Sequence, residues 1–299
     1  MALYNILKFI YQHPLCQGEK KLKSILRFFR WQLATRALNL PVLVPFVNDT
    51  QLISERGIVC GSGAYYVGLF EFKEMAFTAH YLRSEDLFID VGANVGTFTV
   101  LAAGVVGARC VSVEPIPESY KRLVTNIDIN CLKERVLALN VGLGESINNL
   151  IFTSDLDAKN HVATGTNMSE KIIQVEVTTL DSIADDKVPE MIKVDVEGYE
   201  SKVVLGARKL LSGVNGPNVV LLELRGNGVK YGFNEKEVHE KMLKYGYMPY
   251  IYDPIYRTLH IWKPQKEDAL GDMLYIRDVE KAKWRTREAQ TFCVLDQRI

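Results

Sequence analysis

Leu87-Phe88-Ile89-Asp90-Val91-Gly92-Ala93-Asn94-Val95-Gly96-Thr97-Phe98 is the stretch on which the fold is decided. An apolar run ends in Asp-x-Gly, and small residues lead within a few positions into a helical pattern. Such a strand, turn and helix lets a ligand approach the backbone where helix amides point outward. In open α/β sheets ligands sit beyond the carboxyl ends of the strands, at the point where strand order reverses.

Glycine spacing narrows the ligand. A dinucleotide site wants G-x-G-x-x-G around a pyrophosphate, whereas Gly92 and Gly96 enclose three residues, and Asp90 is read as an acid at the mouth. An acid there repels phosphate and suits a cation. S-adenosyl-L-methionine carries a sulfonium, an amino group and no phosphate, so it fits better than NAD. The loop residues Gly92, Asn94 and Gly96 would cradle it. Glu114, which ends the next apolar run 24 residues after Asp90, is expected to accept hydrogen bonds from ribose hydroxyls. Asn140 and Gly142, ending the third run, are expected to border the adenine. Asn126 and Asn130 read as solvent-facing helix residues.

Further along, apolar runs end near Asp195 and Arg225, alternating with helices expected at 97–104, 117–131, 199–212 and 234–245. Continuous apolar strands between helices describe a parallel sheet covered on both faces. The expected fold is therefore α/β with a doubly wound, mainly parallel sheet. An insertion, residues 149–179, contributes two paired strands, NLIFTS and KIIQVEVTT, around a polar segment 155–170 that contains His161 and Gly165. A polar loop of about 15 residues in a compact domain is usually either functional or disordered, and this one is a candidate substrate lid. YMPYIY, RTLHIW and DMLYIR read as sheet-edge strands, and 277–288 as a solvated helix. On the amino side a helix is expected over 71–82. Residues 42–69 read as short strands and turns broken by Gly57, Gly61 and Gly63, and 20–40 as a helix ended by Pro41. The expected division is an amino-terminal extension 1–70, a core 71–265, and carboxyl-terminal edge strands and helix 266–299.

At 299 residues, with 47% hydrophobic and 24% charged, the chain is globular and neither collagen-like nor low-complexity. Lys+Arg and Asp+Glu balance at 36 each, which argues against nucleic acid as a partner. The balance is uneven: residues 1–40 carry +6, with Lys8, Lys20, Lys21, Lys23, Arg27, Arg30 and Arg36 against Glu19, which leaves −6 for the remainder. In the basic segment Leu22, Ile25, Leu26, Phe29, Leu33 and Ala37 recur at helical spacing. Two readings stand for residues 20–38: packing on the core or a partner subunit, and peripheral docking at anionic membrane lipid. Five widely spaced cysteines without C-x-x-C read as free thiols in a reducing compartment. No run approaches the roughly 18 apolar residues of a membrane span, so the expected place is the cytoplasm or the inner face of its membrane.

FIDVGANVGTFT, VEPIPESYKRLVTNIDIN, TTLDSI, IKVDVEGYESKVVLGARKLL and VVLLEL together resemble the FkbM-type family of class I S-adenosylmethionine-dependent methyltransferases, over about Gly68 to Tyr247. KVDVEGYE is the most distinctive block. The resemblance implies a seven-stranded Rossmann-like methyltransferase sheet and methyl transfer, usually to oxygen. The acceptors it implies are carbohydrate or polyketide hydroxyls, in glycan, lipopolysaccharide or natural-product pathways. The segment from Tyr65 to Leu82, with Glu71 at the start of its helix, also resembles that family's lead-in to the core, and Glu71 is an expected cofactor-binding residue.

An alcohol is a weak nucleophile at neutral pH, so O-methylation benefits from a base within hydrogen-bond reach. Asp195 ends the fourth core strand and is the best candidate base, beside the cofactor as well as the acceptor. Glu197 and Glu223 are candidates to hold neighbouring hydroxyls, since carboxylates offer several acceptor sites. Glu197 has an alternative role at a helix amino terminus. His161 is a second candidate base, whereas His239 reads as an ordinary helix residue. Asp195, Glu197 and Glu223 would also suit a divalent cation such as Mg2+, an account not favoured here. The favoured function is a sugar or glycolipid O-methyltransferase. Its competitors are a polyketide O-methyltransferase, a nicotinamide-dependent oxidoreductase and a non-catalytic cofactor-binding protein.

Overall fold

The computed structural model describes residues 3–38, 40–156, 160–163, 171–185, 187–263 and 270–299. Its core strands are β1 (Leu87–Val91), β2 (Arg109–Val113), β3 (Val136–Leu139), β4 (Met191–Val194), β5 (Val219–Leu224), β6 (Met248–Asp253), β7 (Thr258–Ile261) and β8 (Gly271–Ile276). They form one eight-stranded sheet in the order β7-β6-β8-β5-β4-β1-β2-β3. The first five are mutually parallel, and β8 runs antiparallel to both β5 and β6. Because β1 lies between β2 and β4, strand order reverses beside it, and the Gly92 loop and Asp195 are neighbours there.

The doubly wound, mainly parallel α/β architecture matches expectation, with one strand more than the expected seven. The position of β8 corrects the sequence reading. DMLYIR and YMPYIY both lie inside the sheet, each paired on two sides, and of the three expected edge strands RTLHIW alone is at an edge. Met273, Leu274, Tyr275 and Ile276 are all buried, as a strand covered on both faces requires. The insertion forms the expected hairpin, Asn148–Thr153 against Ile172–Thr178, with Gly142–Leu143 as a third strand. Of the expected lid, 157–159 and 164–170, Gly165 among them, lie outside the described residues.

The amino-terminal extension holds α1 (Leu3–Gln12), α2 (Lys20–Leu38), a hairpin of Val42–Pro45 with Gln51–Ser54, and α3 (Val59–Val67), ahead of α4 (Phe72–Tyr81). The glycine signal in GSGAYYV misleads: these residues are helical. Gly61 is there because a Cβ would lie 2.6 Å from Ser54 Oγ, and Gly63 because one would press on Phe70 at 3.2 Å. Both serve close packing.

The basic helix also turns a different face inward. Ser24, Phe28, Trp31 and Thr35 are buried, while Leu22, Leu26, Phe29 and Leu33 are exposed. Phe28 meets Tyr66 edge to face, and Trp31 lies against Tyr65. The two hydroxyls on that face cost little. Thr35 Oγ1 donates to the Trp31 carbonyl at 2.8 Å, and Ser24 accepts from Arg27 at 2.7 Å. No helix among the described residues is long and apolar enough to cross a membrane.

Candidate active site

Beyond the carboxyl ends of the parallel strands lies a cavity of about 350 Å³. Glu71, Gly92, Asn94, Glu114 and Gly142 line one part of it, and Asp195, Glu197 and Glu223 another. The wall toward the insertion includes Phe152 and Asn160.

The loop after β1 is held from both sides. Gly92 and Ala93 N–H groups donate to the Val113 carbonyl at 2.9 and 3.0 Å. Gly92 has φ +76, and a Cβ there would lie 1.8 Å from the Asp195 carbonyl oxygen, so only glycine lets β1 and β4 close at this point. Asn94, also left-handed at φ 50, donates its N–H to Glu114 Oε2 at 2.8 Å. Glu114 Oε1 accepts from Ile116 N–H at 3.0 Å. Each Glu114 oxygen retains a second acceptor site for a ligand hydroxyl. Burial pushes its carboxyl up to about 7, against the pull of these two amides.

Several expected residues lie elsewhere. Asp90 is not at the mouth: it is fully buried, its carboxylate accepts from Thr99 Oγ1 at 2.7 Å, and it does not line the cavity. A strand's alternation turns it under the loop. Gly96 faces Leu123, which its Cβ would meet at 2.5 Å, and serves helix packing. Asn140 donates to the Glu114 and Pro115 carbonyls at 2.8 and 3.1 Å, bracing the second strand's exit without lining the cavity. His161 is paired through its backbone to Thr153 and is likewise outside the lining. Asn126, read as solvent-facing, is buried. It accepts from Ile53 N–H at 2.7 Å and donates to the Val95 carbonyl at 2.8 Å, tying the amino-terminal hairpin to the loop.

At the other end, oxygens of Asp195, Glu197 and Glu223 lie within 4.8 Å of one another. Three residues absent from the sequence-derived site organise them. Lys193, one of the few buried lysines, donates to Asp195 Oδ2 at 2.8 Å, and Arg225 reaches Glu223 Oε1 at 2.8 Å and also binds Asp272. Glu200 accepts from Val196 and Gly198 N–H groups at 3.1 and 3.0 Å through one oxygen. It, and not Glu197, stitches the turn into the helix Glu200–Leu205. Glu197 itself is left-handed at φ 54 and accepts from Asn227 Nδ2 at 3.1 Å.

Charge in the cavity is unbalanced. Burial and then the Asp195 carboxylate drive Glu223 well above the ordinary carboxylate range. Burial would raise Asp195 too, but Lys193 and its bond to Glu223 hold it below that range. Ionisation of the pair is thus tilted toward Asp195. Glu71 is pushed up to about 8, chiefly by burial and despite Lys193. A cationic guest would favour the ionised form of these buried acids.

The profile of the methyltransferase FkbM domain family matches residues 90–249. Hexuronic acid methyltransferase AglP of Haloferax volcanii is 31% identical over 136 residues, which is 44% of this chain and 54% of that protein. The match thus spans about half the length of that curated relative. Among solved structures, methyltransferase FkbM from Methylobacillus flagellatus has TM-score 0.45 at 16% identity, covering 72% of this chain and 52% of that one. A putative rRNA methylase from Clostridium thermocellum has TM-score 0.42 at 11% identity, covering 69% and 92%.

Proposed function

The chain belongs to the FkbM methyltransferase family, and from that premise we propose that it transfers the methyl group of S-adenosyl-L-methionine to a carbohydrate hydroxyl. The observation that carries this reading is the single cavity lined both by the Gly92–Asn94 turn with Glu114 and by Asp195, Glu197 and Glu223. The Haloferax relative, a hexuronic acid methyltransferase, supports the acceptor class.

The donor set fits the cofactor: burial disfavours the ionised carboxyls of Glu71, Glu114 and Glu223, and a bound sulfonium would favour them again. Gly92, Asn94, Glu114 and Gly142 would hold it, with Glu71 toward its amino end. When bound, it supplies a methyl group on a good leaving group. Asp195, ionised by Lys193, takes the proton of the attacking hydroxyl, so a neutral ether and a protonated carboxyl result. Glu197 and Glu223 hold flanking hydroxyls. His161 has no part in this scheme.

Incubation with methyl-labelled cofactor and a panel of uronic-acid oligosaccharides, nucleotide sugars and lipid-linked glycans tests the reading. Mass spectrometry should locate one added methyl on a sugar oxygen. Cofactor binding without transfer to any glycan would overturn the acceptor class.

The exposed face of α2 extends the proposal. Leu22, Leu26, Phe29 and Leu33 stand out between Lys20, Lys21, Lys23 and Arg30. Apolar side chains flanked by cations suit an anionic lipid surface, where a lipid-linked glycan would be presented.

A further inference from the structure

A second cavity, of about 360 Å³, lies between α1, α2 and α3. Ile6, Phe9, Trp31, Tyr66 and Phe70 supply most of its wall, and its polar side chains are Gln32, Arg56 and Ser62. Its volume is that of a small-molecule site, and its lining is the mostly apolar kind, with a few polar groups, that such sites have. Aromatic and aliphatic side chains of this kind gain dispersion contacts from an apolar guest.

Two wall residues say what the occupant is joined to. Gly57 and Phe70 line this cavity and also the candidate active site. Phe70 immediately precedes Glu71, so the two spaces adjoin at Phe70 and Gly57. A molecule that fills both is polar and hydroxylated at the Asp195 end and apolar at the Trp31 end. We propose that the acceptor is an amphiphile whose hydrocarbon chain passes Phe70 into the cavity of α1, α2 and α3 while its sugar hydroxyl meets Asp195. This rests on the methyltransferase reading for the sugar end only.

The test is direct binding of n-alkyl β-D-glucuronides, methyl through decyl and below their micelle concentrations, to the full chain with S-adenosylhomocysteine present. Calorimetry gives affinity, and Trp31 fluorescence reports entry. Each methylene that enters should tighten binding about fourfold, the ratio equivalent to about 0.8 kcal/mol per buried CH₂, until the cavity is full. Ile6→Trp, which fills the cavity from α1, should flatten the series and leave the methyl glucuronide unchanged. Affinity independent of chain length in the wild-type protein overturns the proposal, and needs no variant. So does a chain-length gain that Ile6→Trp leaves intact in a folded protein. Decanol binding as tightly as decyl glucuronide would also overturn it, since the site would then take any hydrocarbon. Methyl transfer to short glycosides alongside a flat series removes the cavity's role alone. A steep series without cofactor binding or transfer removes the methyltransferase reading and keeps the amphiphile site.

Discussion

Lys193 and Asp195 stand two residues apart at the end of β4, and their side chains meet at 2.8 Å on one face of the sheet. The lysine is 6% exposed and the aspartate 26%. Alternation along a strand brings i and i+2 together, and the ammonium also lies over the Phe98 ring, 4.8 Å from its centre. Burial opposes the lysine's charge, yet Asp195, Asp90 and Glu71 hold its pKa above the ordinary value. Lys193 is therefore a fixed cation of the site, and it holds the candidate base toward its ionised form.

That pairing predicts the acid limb of the pH profile. A base works when ionised, so activity is present above the folded pKa of Asp195 and lost as pH falls through it. In the wild-type protein Lys193 holds that pKa below the ordinary carboxylate range. Lys193→Met should move the acid limb of kcat/KM to higher pH, while Asp195→Asn should keep cofactor affinity and lose on the order of a hundredfold to ten-thousandfold in kcat. An unmoved limb in Lys193→Met, or near wild-type turnover in Asp195→Asn, would reassign the base.

The loop after β1 predicts a contrast between two glycines. Gly92→Ala sets a Cβ against the Asp195 carbonyl in a left-handed backbone, and neither group can yield. It should cost more than about 1 kcal/mol and abolish cofactor binding. Gly96→Ala is strained at φ +88 too, but its clash is with the tip of Leu123, which can shift. Thermal melts with and without cofactor compare them, and an equal or smaller loss for Gly92→Ala would mean that the loop gives way.

These residues also show what was legible beforehand. Asp-x-Gly at a strand end, Glu114 one strand on and Asp195, Glu197 and Glu223 beyond it were readable because strand ends in a parallel sheet converge whatever the details. Lys193 was half legible: a lysine inside the run MIKVDV must be buried, and a buried lysine needs an acid on its own face. Asp90 was misread because alternation along β1 turns Val91, the last residue, toward the cavity and Asp90 away from it. The order of β8 depends on a pairing distant in sequence, and composition does not encode it. The apolar stripe of α2 misled because size outweighed count: Phe28 and Trp31, packed on Tyr66 and Tyr65, fixed the inward face.

The acidic trio predicts indifference to chelators. Asp195, Glu197 and Glu223 approach within 4.8 Å, but Lys193 and Arg225 already occupy the first and last of them. A divalent ion would have to compete with two resident cations. Activity should survive dialysis against EDTA unchanged. Loss restored by Mg2+ would turn the trio into a metal site and Asp195 into a ligand.

The outward face of α2 predicts lipid binding governed by charge. Leu22 is 64% exposed, Leu26 46%, Phe29 47% and Leu33 71%, and each neighbouring Lys or Arg adds about 1 kcal/mol of attraction at an anionic surface. The protein should sediment with vesicles containing phosphatidylglycerol, release them as salt is raised, and ignore vesicles of phosphatidylcholine alone. Leu26→Glu with Leu33→Glu should abolish sedimentation without lowering Tm, because both side chains are already in solvent. Absence of binding to either vesicle, together with a dimer in light scattering that the same substitutions dissolve, would instead make this face the contact between two copies of the chain.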